Sequence, residues 1–572
     1  MAEMILPGTF IEVRPEGLIT PGRVTVGNIG IVGTASKGPI GQHVILGGYT
    51  EARQRFGDYD KWIDGKSDEL TLVRALEIAY NHGATTVFAV RVAGKKLNGA
   101  TAAEKAAYKL KAGTADVVTL TAKTEGTWAN ELSINVADAE EHASVEDEPV
   151  PTSGTDALKL KRIKVVKSTR NRIRHFVDQT GVTRSLLILY TNDEVLPGAD
   201  PAKPEANQVT VNRETGAMTF KVPPAAADKI TASYVVDKAS AVKVTLRLGR
   251  TDEAYTIVDG NDLASDINSL SAFVDAKVET NAGGLLPSKS DPAGGFAAFK
   301  GGVNGASDAN YKDGLDVLLN QPAHIIVAAG QDDSFGDELD AHCQQASTDA
   351  IKRDRIAVVG SKFEKNREAM IDGLRGHKLD SDRVVFVGPG IKVTDAATTP
   401  LVEVMLPGAY AAAAIAGLLS SFSAHISLTN KPIRVGDLEY RFTPAELTQF
   451  VQNRVLALEE RQGLRTVKGI TTSTNNAWHQ ITTRRIVDFA KFGVRSAASS
   501  YIGLLNNERV RGAMRATINS FLTEMVQDEM LVSYELEVTA TRDEERKGIA
   551  RVTMTLRPTF SIDFIKVTMF LE

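Results

Sequence analysis

Residues 70–92 read LTLVRALEIAYNHGATTVFAVRV, and two periodicities follow one another within this stretch. Leu72, Leu76 and Ala79 recur at helical spacing, and Gly83 ends the pattern. Residues 85–92 then form a short apolar run, typical of a strand that is buried on both faces. The stretch therefore predicts a helix over 67–81 followed by a buried strand, which is the repeating unit of α/β proteins.

The same alternation of apolar strands and helices continues on both sides of a long interruption. Residues 28–33 (NIGIVG) predict a buried strand before the quoted stretch, and the pattern resumes after residue 300. Further strands are predicted at 324–329, 355–359 and 383–387, and helices at 337–351, 366–374 and 409–419. We therefore expect one α/β core domain, split between 27–93 and 301–482, with a mainly parallel sheet and helices on both faces.

Residues 94–300, between the two halves, have a different pattern of apolar and polar residues. Short alternating runs predict strands at 117–122, 131–136, 185–190, 208–211, 217–222, 230–235 and 242–248. A turn at 213–216 joins two of these strands. The segment is predicted to be a β-rich insertion of one or two domains.

Residues 483–558 predict an α+β C-terminal domain. Two helical stretches lead into two strands, which are joined by a charged turn at 542–547. Val552, Met554 and Leu556 share one parity, so one side of this hairpin is expected to be covered and the other wet. The predicted bounds are 484–499 and 507–529 for the helices and 531–540 and 549–557 for the strands.

Extended arms are predicted at both ends, an N-terminal arm (1–26) and a C-terminal arm (559–572). Three prolines within the N-terminal arm forbid a continuous helix. In the C-terminal arm, the alternation of apolar and polar residues changes phase at 564/565, which suggests a bulge or two separately paired segments. Neither arm has an adjacent hairpin partner, so each needs an open sheet edge to pair with. An extended arm can reach such an edge on another subunit. The residues predicted to pair there are Ile11, Val13, Phe560, Ile562, Phe564, Ile565, Val567 and Met569.

Length, composition and charge narrow the function classes. A length of 572 residues indicates several packed units, and 66 basic against 71 acidic residues argue against general polyanion binding. The only cysteine cannot form an intrachain disulfide, and residues 1–10 lack a signal-peptide pattern, so a cytosolic chain is expected. The longest apolar stretch, 405–419, is shorter than the ~20 residues that cross a bilayer and predicts a buried helix.

Motifs for catalysis or cofactor binding are nearly absent. The glycine-rich residues 301–305 lack the spacing of a dinucleotide fingerprint, and no lysine–hydroxyl pair of a phosphate loop was found. His342 and Cys343 lie within a helical pattern, which favours a buried small residue over a thiol nucleophile. Asp332 and Asp333 follow a strand end, where a helix cap is favoured over acid–base chemistry. No cofactor, no metal site and no enzymatic activity are predicted.

Two charged regions have competing interpretations. Residues 159–174 are strongly basic and 138–148 acidic, which favours a balanced, solvated strand face over a nucleic-acid strip. Residues 484–515 carry a net charge of +5 in a chain whose total is −5, from seven basic and two acidic residues. An acidic partner surface and a solvated face explain this second cluster about equally well. Its basic members are Arg484, Arg485, Lys491, Arg495, Arg509, Arg511 and Arg515.

Several motifs, taken in order, resemble the tail sheath proteins of contractile phage tails, tailocins and related contractile injection systems. PGTFIEV and VGNIGIVGTASKGPIG resemble the amino terminus of a sheath protein, and the quoted 70–92 stretch resembles its helix–strand unit. LTAKTEGTWANELSINVAD is similar to the segment that opens the sheath insertion, with Ala129 where glycine is commoner. YAAAAIAGLLSS resembles the alanine-rich core helix, and 484–531 resembles the carboxy-terminal helices.

The resemblance implies a structural subunit that forms stacked hexameric rings around an inner tail tube, with the insertion at 94–300 facing outward. The terminal arms would add strands to a small sheet of neighbouring subunits, with Val552, Met554 and Leu556 in the accepting hairpin. The basic cluster at 484–515 would face an acidic tube and release it when the sheath contracts and drives the tube through the host envelope.

The implied partners are other sheath subunits, the inner tube protein, and baseplate and tail terminator proteins, without direct nucleic-acid contact or membrane insertion. The implied location is the virion tail, assembled in the host cytoplasm. Two alternatives stay open: another tail or baseplate assembly protein, and an enzyme built on the α/β core.

Overall fold

A computed structural model of the chain describes residues 27–63, 66–67, 70–94, 102–154, 157–177, 182–191, 200–290, 294–307 and 309–571. The N-terminal arm, with Ile11 and Val13, lies outside the described residues. The chain divides into two compact units, one formed by Met1–Thr101 with Ala306–Glu572 and the other by Ala102–Gly305. The fold is mixed α/β with several sheets, as predicted.

The elements are numbered in chain order. The helices are α1 (Tyr49–Phe56), α2 (Leu72–Asn81), α3 (Gly260–Leu270), α4 (Tyr311–Leu318), α5 (Gly336–Ala346), α6 (Arg367–Gly376), α7 (Gly408–Ser420), α8 (Pro444–Gln452), α9 (Ile481–Ser499), α10 (Glu508–Gln527) and α11 (Arg542–Arg546). The first strands are β1 (Ile29–Gly33), β2 (His43–Leu46), β3 (Trp62–Ile63), β4 (Lys66–Ser67) and β5 (Val87–Arg91). The second unit contains β6 (Ala107–Ala112), β7 (Ala115–Ala122), β8 (Ser133–Asp138), β9 (Ala143–Val150), β10 (Val165–Val166), β11 (Arg172–Val177), β12 (Val182–Tyr190), β13 (Gln208–Val211), β14 (Met218–Phe220), β15 (Lys229–Val236), β16 (Val242–Leu248), β17 (Thr251–Ile257), β18 (Val274–Val278) and β19 (Ala297–Ala298). The remaining strands are β20 (Ile325–Ala328), β21 (Ile356–Gly360), β22 (Val384–Gly388), β23 (Ile391–Asp395), β24 (Val402–Leu406), β25 (Asp437–Leu438), β26 (Val455–Glu460), β27 (Leu464–Thr466), β28 (Leu531–Thr539) and β29 (Arg551–Pro558).

The first unit is built on an eight-stranded sheet in the order β2-β5-β1-β20-β21-β22-β26-β27. Pairing is parallel from β5 through β26, and the two edge strands β2 and β27 are antiparallel. Strands β1, β5, β20, β21 and β22 are buried along their whole length. One apolar cluster on the sheet includes α2 and α7, and a second includes α4, α5, α6 and α8.

Helix α7 is the alanine-rich segment that was predicted to be a buried helix, and this prediction is confirmed. All but two of its residues are buried. A Cβ added at Gly417 would lie 2.3 Å from the backbone oxygen of Ala79 in α2, so only glycine permits this approach of the two helices. Among the described helices, none has both the length and the apolarity that crossing a bilayer requires.

The second unit is mostly β structure. It contains a sheet in the order β10-β15-β11-β12-β13-β14, with β9 also paired to β15, together with the sheets β17-β16-β8-β19 and β18-β7-β6. The strands predicted at 208–211 and 242–248 coincide with β13 and β16. Asn130, from the quoted LTAKTEGTWANELSINVAD segment, accepts a hydrogen bond from Gly302 N and donates one to Gly302 O, both at 2.9 Å. The glycine-rich residues 301–305 thus bind the protein's own asparagine.

The C-terminal part of the first unit consists of α9, α10 and the hairpin β28–β29. Phe489 of α9 stacks on Phe521 of α10, with ring centroids 5.8 Å apart. The charged turn expected at 542–547 is in fact the short helix α11. Its N-terminus carries a capping box, in which Thr541 and Glu544 bond reciprocally to each other's backbone. The S/T-x-x-E spacing at 541–544 was the sequence signal for this helix.

Candidate functional site

The hairpin β28–β29 is a two-stranded sheet with one covered face. Val552, Met554 and Leu556 are half-buried and pack against the cluster that contains α9 and α10. The cross-strand register runs from Thr539 opposite Arg551 to Leu531 opposite Pro558. Within the described part of the chain, each strand pairs only with the other. Both outer edges therefore present unpaired backbone donors and acceptors.

The opposite face of the hairpin is charged, with a different sign on each strand. Glu535 and Glu537 are exposed on β28, and Arg551 and Arg557 are exposed on β29. Arg557 lies 3.5 Å from Glu535, and Arg551 pairs with Glu544 of α11 at 2.6 Å. As predicted for the second strand, one face of β29 packs against the protein and the other face is exposed to solvent.

The C-terminal arm, described to residue 571, forms no strand within its own chain. Thr559 N donates to Met530 O at 3.1 Å, and from there the arm leaves the end of the hairpin. Its large apolar side chains are between 63% and 84% exposed at the six predicted positions, which are Phe560, Ile562, Phe564, Ile565, Val567 and Met569. A run of exposed large apolar residues of this kind marks an interaction surface.

The predicted basic cluster does not form one exposed face. Arg484 is buried and binds Asp382 at 2.9 Å and Asp488 at 2.7 Å. Arg485 is also buried, and it donates to the backbone oxygen of Phe422 at 3.0 Å. Burial lowers the pKa of the Arg485 guanidinium to about 10. These two arginines therefore hold α9 on the core and do not face outward.

Two more cations of α9 are used within the chain. Lys491 and Arg495 both bind the buried carboxylate of Asp354, Arg495 at 2.6 Å. Arg383 also approaches Asp354, at 3.4 Å. Arg484, Lys491 and Arg495 thus pair with carboxylates more than a hundred positions away in sequence, which a local charge count does not detect.

The remaining three cations lie on α10. Arg511 is half-buried and binds Glu545 at 3.0 Å, whereas Arg509 and Arg515 are exposed. The loop between α9 and α10 exposes three large apolar side chains that the sequence analysis did not single out, namely Ile502, Leu504 and Leu505. Their signal was a set of apolar residues inside a predicted helix–helix loop, where polar residues are usual.

Cys343, His342 and Asp332 are buried or hydrogen-bonded within the protein. Cys343 is fully buried, which raises the pKa of its thiol to about 12. His342 accepts a hydrogen bond from Arg355 at 3.0 Å, and burial lowers the pKa of its imidazole to about 3. Asp332 accepts a hydrogen bond from Ser334 N at 3.0 Å, so it caps the turn that follows β20, as favoured from the sequence. Among the described residues, no group of three or more histidine, cysteine, aspartate or glutamate side chains could hold a metal ion.

In open α/β sheets, ligands bind at the carboxyl ends of the strands where the strand order reverses. Here that point lies between β1 and β20. The hydroxyl of Thr71 lies 3.2 Å from that of Thr34 and 2.8 Å from that of Tyr311, which donates to Ala329 O at 3.1 Å. A Cβ added at Gly33 would come 2.9 Å from Thr71 Oγ1. The protein's own hydroxyls thus close this crevice.

Some residues of the basic strip and of the acidic run in the second unit pair with one another, as expected for a strand face that is partly balanced by its acidic neighbour. Arg172 binds Glu146 at 2.9 Å, and Arg174 lies 4.0 Å from Asp147. Glu148 is buried and accepts from the hydroxyl of Tyr234 at 3.0 Å.

The fold is that of a tail sheath protein. The structure is similar to the sheath tail protein of Desulfitobacterium hafniense, with a TM-score of 0.57 and 13% identity over 96% of this chain and 100% of that one. It is also similar to a sheath tail protein of Listeria innocua, with a TM-score of 0.53 and 13% identity over 95% and 97% of the two chains.

Sequence comparison gives the more particular assignment. Residues 473–572 match the family model described as "Phage tail sheath C-terminal domain". The tail sheath protein of Bacillus phage SP01 is 26% identical over 244 residues, which span 41% of this chain and 42% of that relative. By sequence the chain is thus similar to phage tail sheath proteins, and its last hundred residues match their C-terminal domain.

Proposed function

We propose that this chain is a structural subunit of a contractile tail sheath, without enzymatic turnover, that polymerises as stacked hexameric rings around an inner tail tube. One observation carries the proposal. The C-terminal arm leaves its large apolar side chains exposed, while the hairpin beside it has two open edges. Within the described residues neither feature has a strand partner, and each supplies the chemistry that the other needs.

Strand exchange between neighbouring subunits satisfies both features. An arm laid along β28 or β29 of another copy would pair its backbone with the open edge, and alternate side chains would set the register. Each large apolar side chain that becomes buried contributes about 1.5–3 kcal/mol before its ordering cost. The N-terminal arm, through Ile11 and Val13, would occupy the second edge. Such covalently continuous links hold subunits together through a large movement.

The contact between the sheath and the tube must break during contraction, whereas the links between sheath subunits must persist. Exposed ion pairs are worth only ~0–1 kcal/mol each and are screened by salt. Of the seven cations predicted to face an acidic tube, Arg509 and Arg515 are exposed and Arg511 is half-buried on the same helix. We therefore assign the tube-facing role to α10, with the cations of α9 serving the subunit's own core.

The proposed cycle stores energy at assembly, in an extended lattice that relaxes to a shorter and wider one after a baseplate signal. The partners are other sheath subunits, the tube protein, and baseplate and terminator proteins. The subunit acts in the virion tail after assembly in the host cytoplasm.

Electron microscopy of the purified protein tests the proposal. A sheath subunit is expected to form long hollow cylinders, and a variant lacking 559–572 is expected to form none while its circular dichroism stays that of the folded core. Discrete rings or oligomers from the full chain would favour a baseplate component or an enzyme instead. Cylinders from the truncated variant would refute strand exchange through this arm.

The tube contact has a separate test. Replacing Arg509 and Arg515 by glutamate should hinder coating of the tube by the sheath protein. The dependence of coating on salt concentration should also change in this double variant. Arg511 is left intact because reversing it would break its pair with Glu545. Normal coating by the double variant would overturn the assignment of α10.

A further inference from the structure

Asp563 is the exception in the C-terminal arm. Its side chain is only 11% exposed, although those of its neighbours Ile562 and Phe564 are 80% and 81% exposed. Carboxylates are among the least buried groups in proteins, and large apolar groups are among the most buried. Here the order is inverted, so the arm is held at one polar point while its apolar side chains stay available.

Asp563 makes polar contacts with three side chains. Lys468 Nζ lies 3.3 Å from Asp563 Oδ2. The hydroxyls of Thr429 and Ser561 donate to Oδ1, at 3.3 Å and 2.9 Å. The ammonium of Lys468 also lies 5.4 Å from the ring centroid of Phe564, within reach of a cation–π interaction. One lysine thus contacts two consecutive residues of the arm.

The partners of Asp563 are fixed to the eight-stranded sheet. Lys468 follows edge strand β27, and the preceding residue, Val467, donates its N–H to Ala457 of β26 at 2.8 Å. The hydroxyl of Thr429 accepts from Gly469 N at 3.3 Å, which joins the two partners to each other. The cation and the hydroxyl are therefore positioned by the core and not by the arm.

The arm passes beside a cleft of about 780 Å³ without filling it. Leu447 and Val451 of α8 line one wall, and Ile562 and Ile565 of the arm line another. An arm sequestered by its own subunit would bury these isoleucines in the cleft, but both are at least 80% exposed. The contact therefore orients the arm and does not mask it.

We infer that Asp563, Lys468 and Thr429 form an anchor that fixes where the arm leaves its own subunit and presents residues 564–571 to a neighbouring copy. This inference rests on the proposed strand exchange. Asp563 is a positioning residue: it orders the start of the arm before association, so that fewer residues lose freedom when the strand pairs. Each arm would then leave its core at the same point in every subunit, which regular lattice geometry requires.

The test compares charge reversals with their combination. Asp563→Lys and Lys468→Asp are each expected to speed amide hydrogen exchange of Thr559 severalfold, measured below the assembly concentration, because the N–H of Thr559 is hydrogen-bonded to Met530 O where the arm begins. Each should also raise the critical concentration for cylinders severalfold. The double variant restores an ion pair of opposite direction and should recover most of both losses. Lys378→Asp, a charge reversal at an exposed position outside the arm, is the matched control and should alter neither quantity.

Faster exchange in the single variants with recovery in the double variant supports the anchor. Unchanged exchange in the single variants, or no recovery in the double variant, overturns it. If exchange rises but cylinders form at the original concentration, the positioning role is overturned while strand exchange stands. Cylinders from the chain lacking 559–572 would instead refute strand exchange through this arm, on which the anchor rests, so the two failures are distinguishable.

Discussion

Helix α9 is held on the core by an ionic cluster whose centre is Asp354, and the variant Asp354→Asn tests how much this cluster contributes. Losing one partner of a fully buried ion pair costs about 3–5 kcal/mol. Here Arg383 keeps Asp488 at 2.8 Å, and the side chains of Lys491 and Arg495 are 31% and 27% exposed and can turn to water. The expected loss is therefore about 2 kcal/mol, the scale of a charge-assisted hydrogen bond.

The assay is hydrogen exchange of α9 amides in the unassembled subunit, because a chain of two units does not unfold in one step. A loss of about 2 kcal/mol corresponds to exchange about 30-fold faster. Asp349→Asn is the matched control: Asp349 binds the same Arg495, at 3.2 Å, but its side chain is 99% exposed. Its removal should change exchange by less than about threefold. If the two variants give equal effects, the buried cluster does not hold α9 and the reasoning is refuted.

Three further predictions follow from packing and burial. Gly493→Ala should destabilise the packing of α9 on α10 by about 1–3 kcal/mol, because the added Cβ would lie 1.9 Å from the ring of Phe521. In the control variant Gly512→Ala, the added Cβ meets nothing within 4 Å, so thermal stability should be equal or higher. Cys343 should resist alkylation at pH 8 in the native protein and react fully in urea, since burial raises the pKa of its thiol to about 12. Burial raises the pKa of Glu439 to about 7, so the folded state binds this proton more tightly than the unfolded state, and stability is lost as the pH rises from about 4.5 through 7. Glu439→Gln should flatten that part of the pH–stability curve in denaturant titrations; an unchanged slope contradicts the assignment.

The α/β core was predictable because its signals are local. Apolar runs of strand length and helical spacing both lie within ten or so residues, so β1, β5 and α2 could be located from the sequence, with ends shifted by a few positions. The order of strands in the sheet came only from the structure, since pairings such as β1 with β20 join residues about 300 positions apart.

The candidate site was predictable where it depends on alternation and not where it depends on distant charge. The covered face of β29 followed from the parity of Val552, Met554 and Leu556. The ion pairs of Arg484 and Arg495 were not predictable, because the carboxylates of Asp382 and Asp354 that bind them come from loops more than a hundred positions away. A basic count over a window therefore overstates the surface charge of a helix that packs on a core rich in carboxylates.

The sign of charge along each hairpin strand has a consequence for solubility. Open sheet edges invite aggregation between identical molecules. If two copies met through their β28 edges, Glu535 and Glu537 would oppose the same carboxylates, and through their β29 edges Arg551 and Arg557 would oppose guanidinium groups. Like charges placed directly across a sheet are destabilising. The charges on the hairpin thus disfavour pairing with the same hairpin of another copy. Its backbone remains available to a strand of different composition.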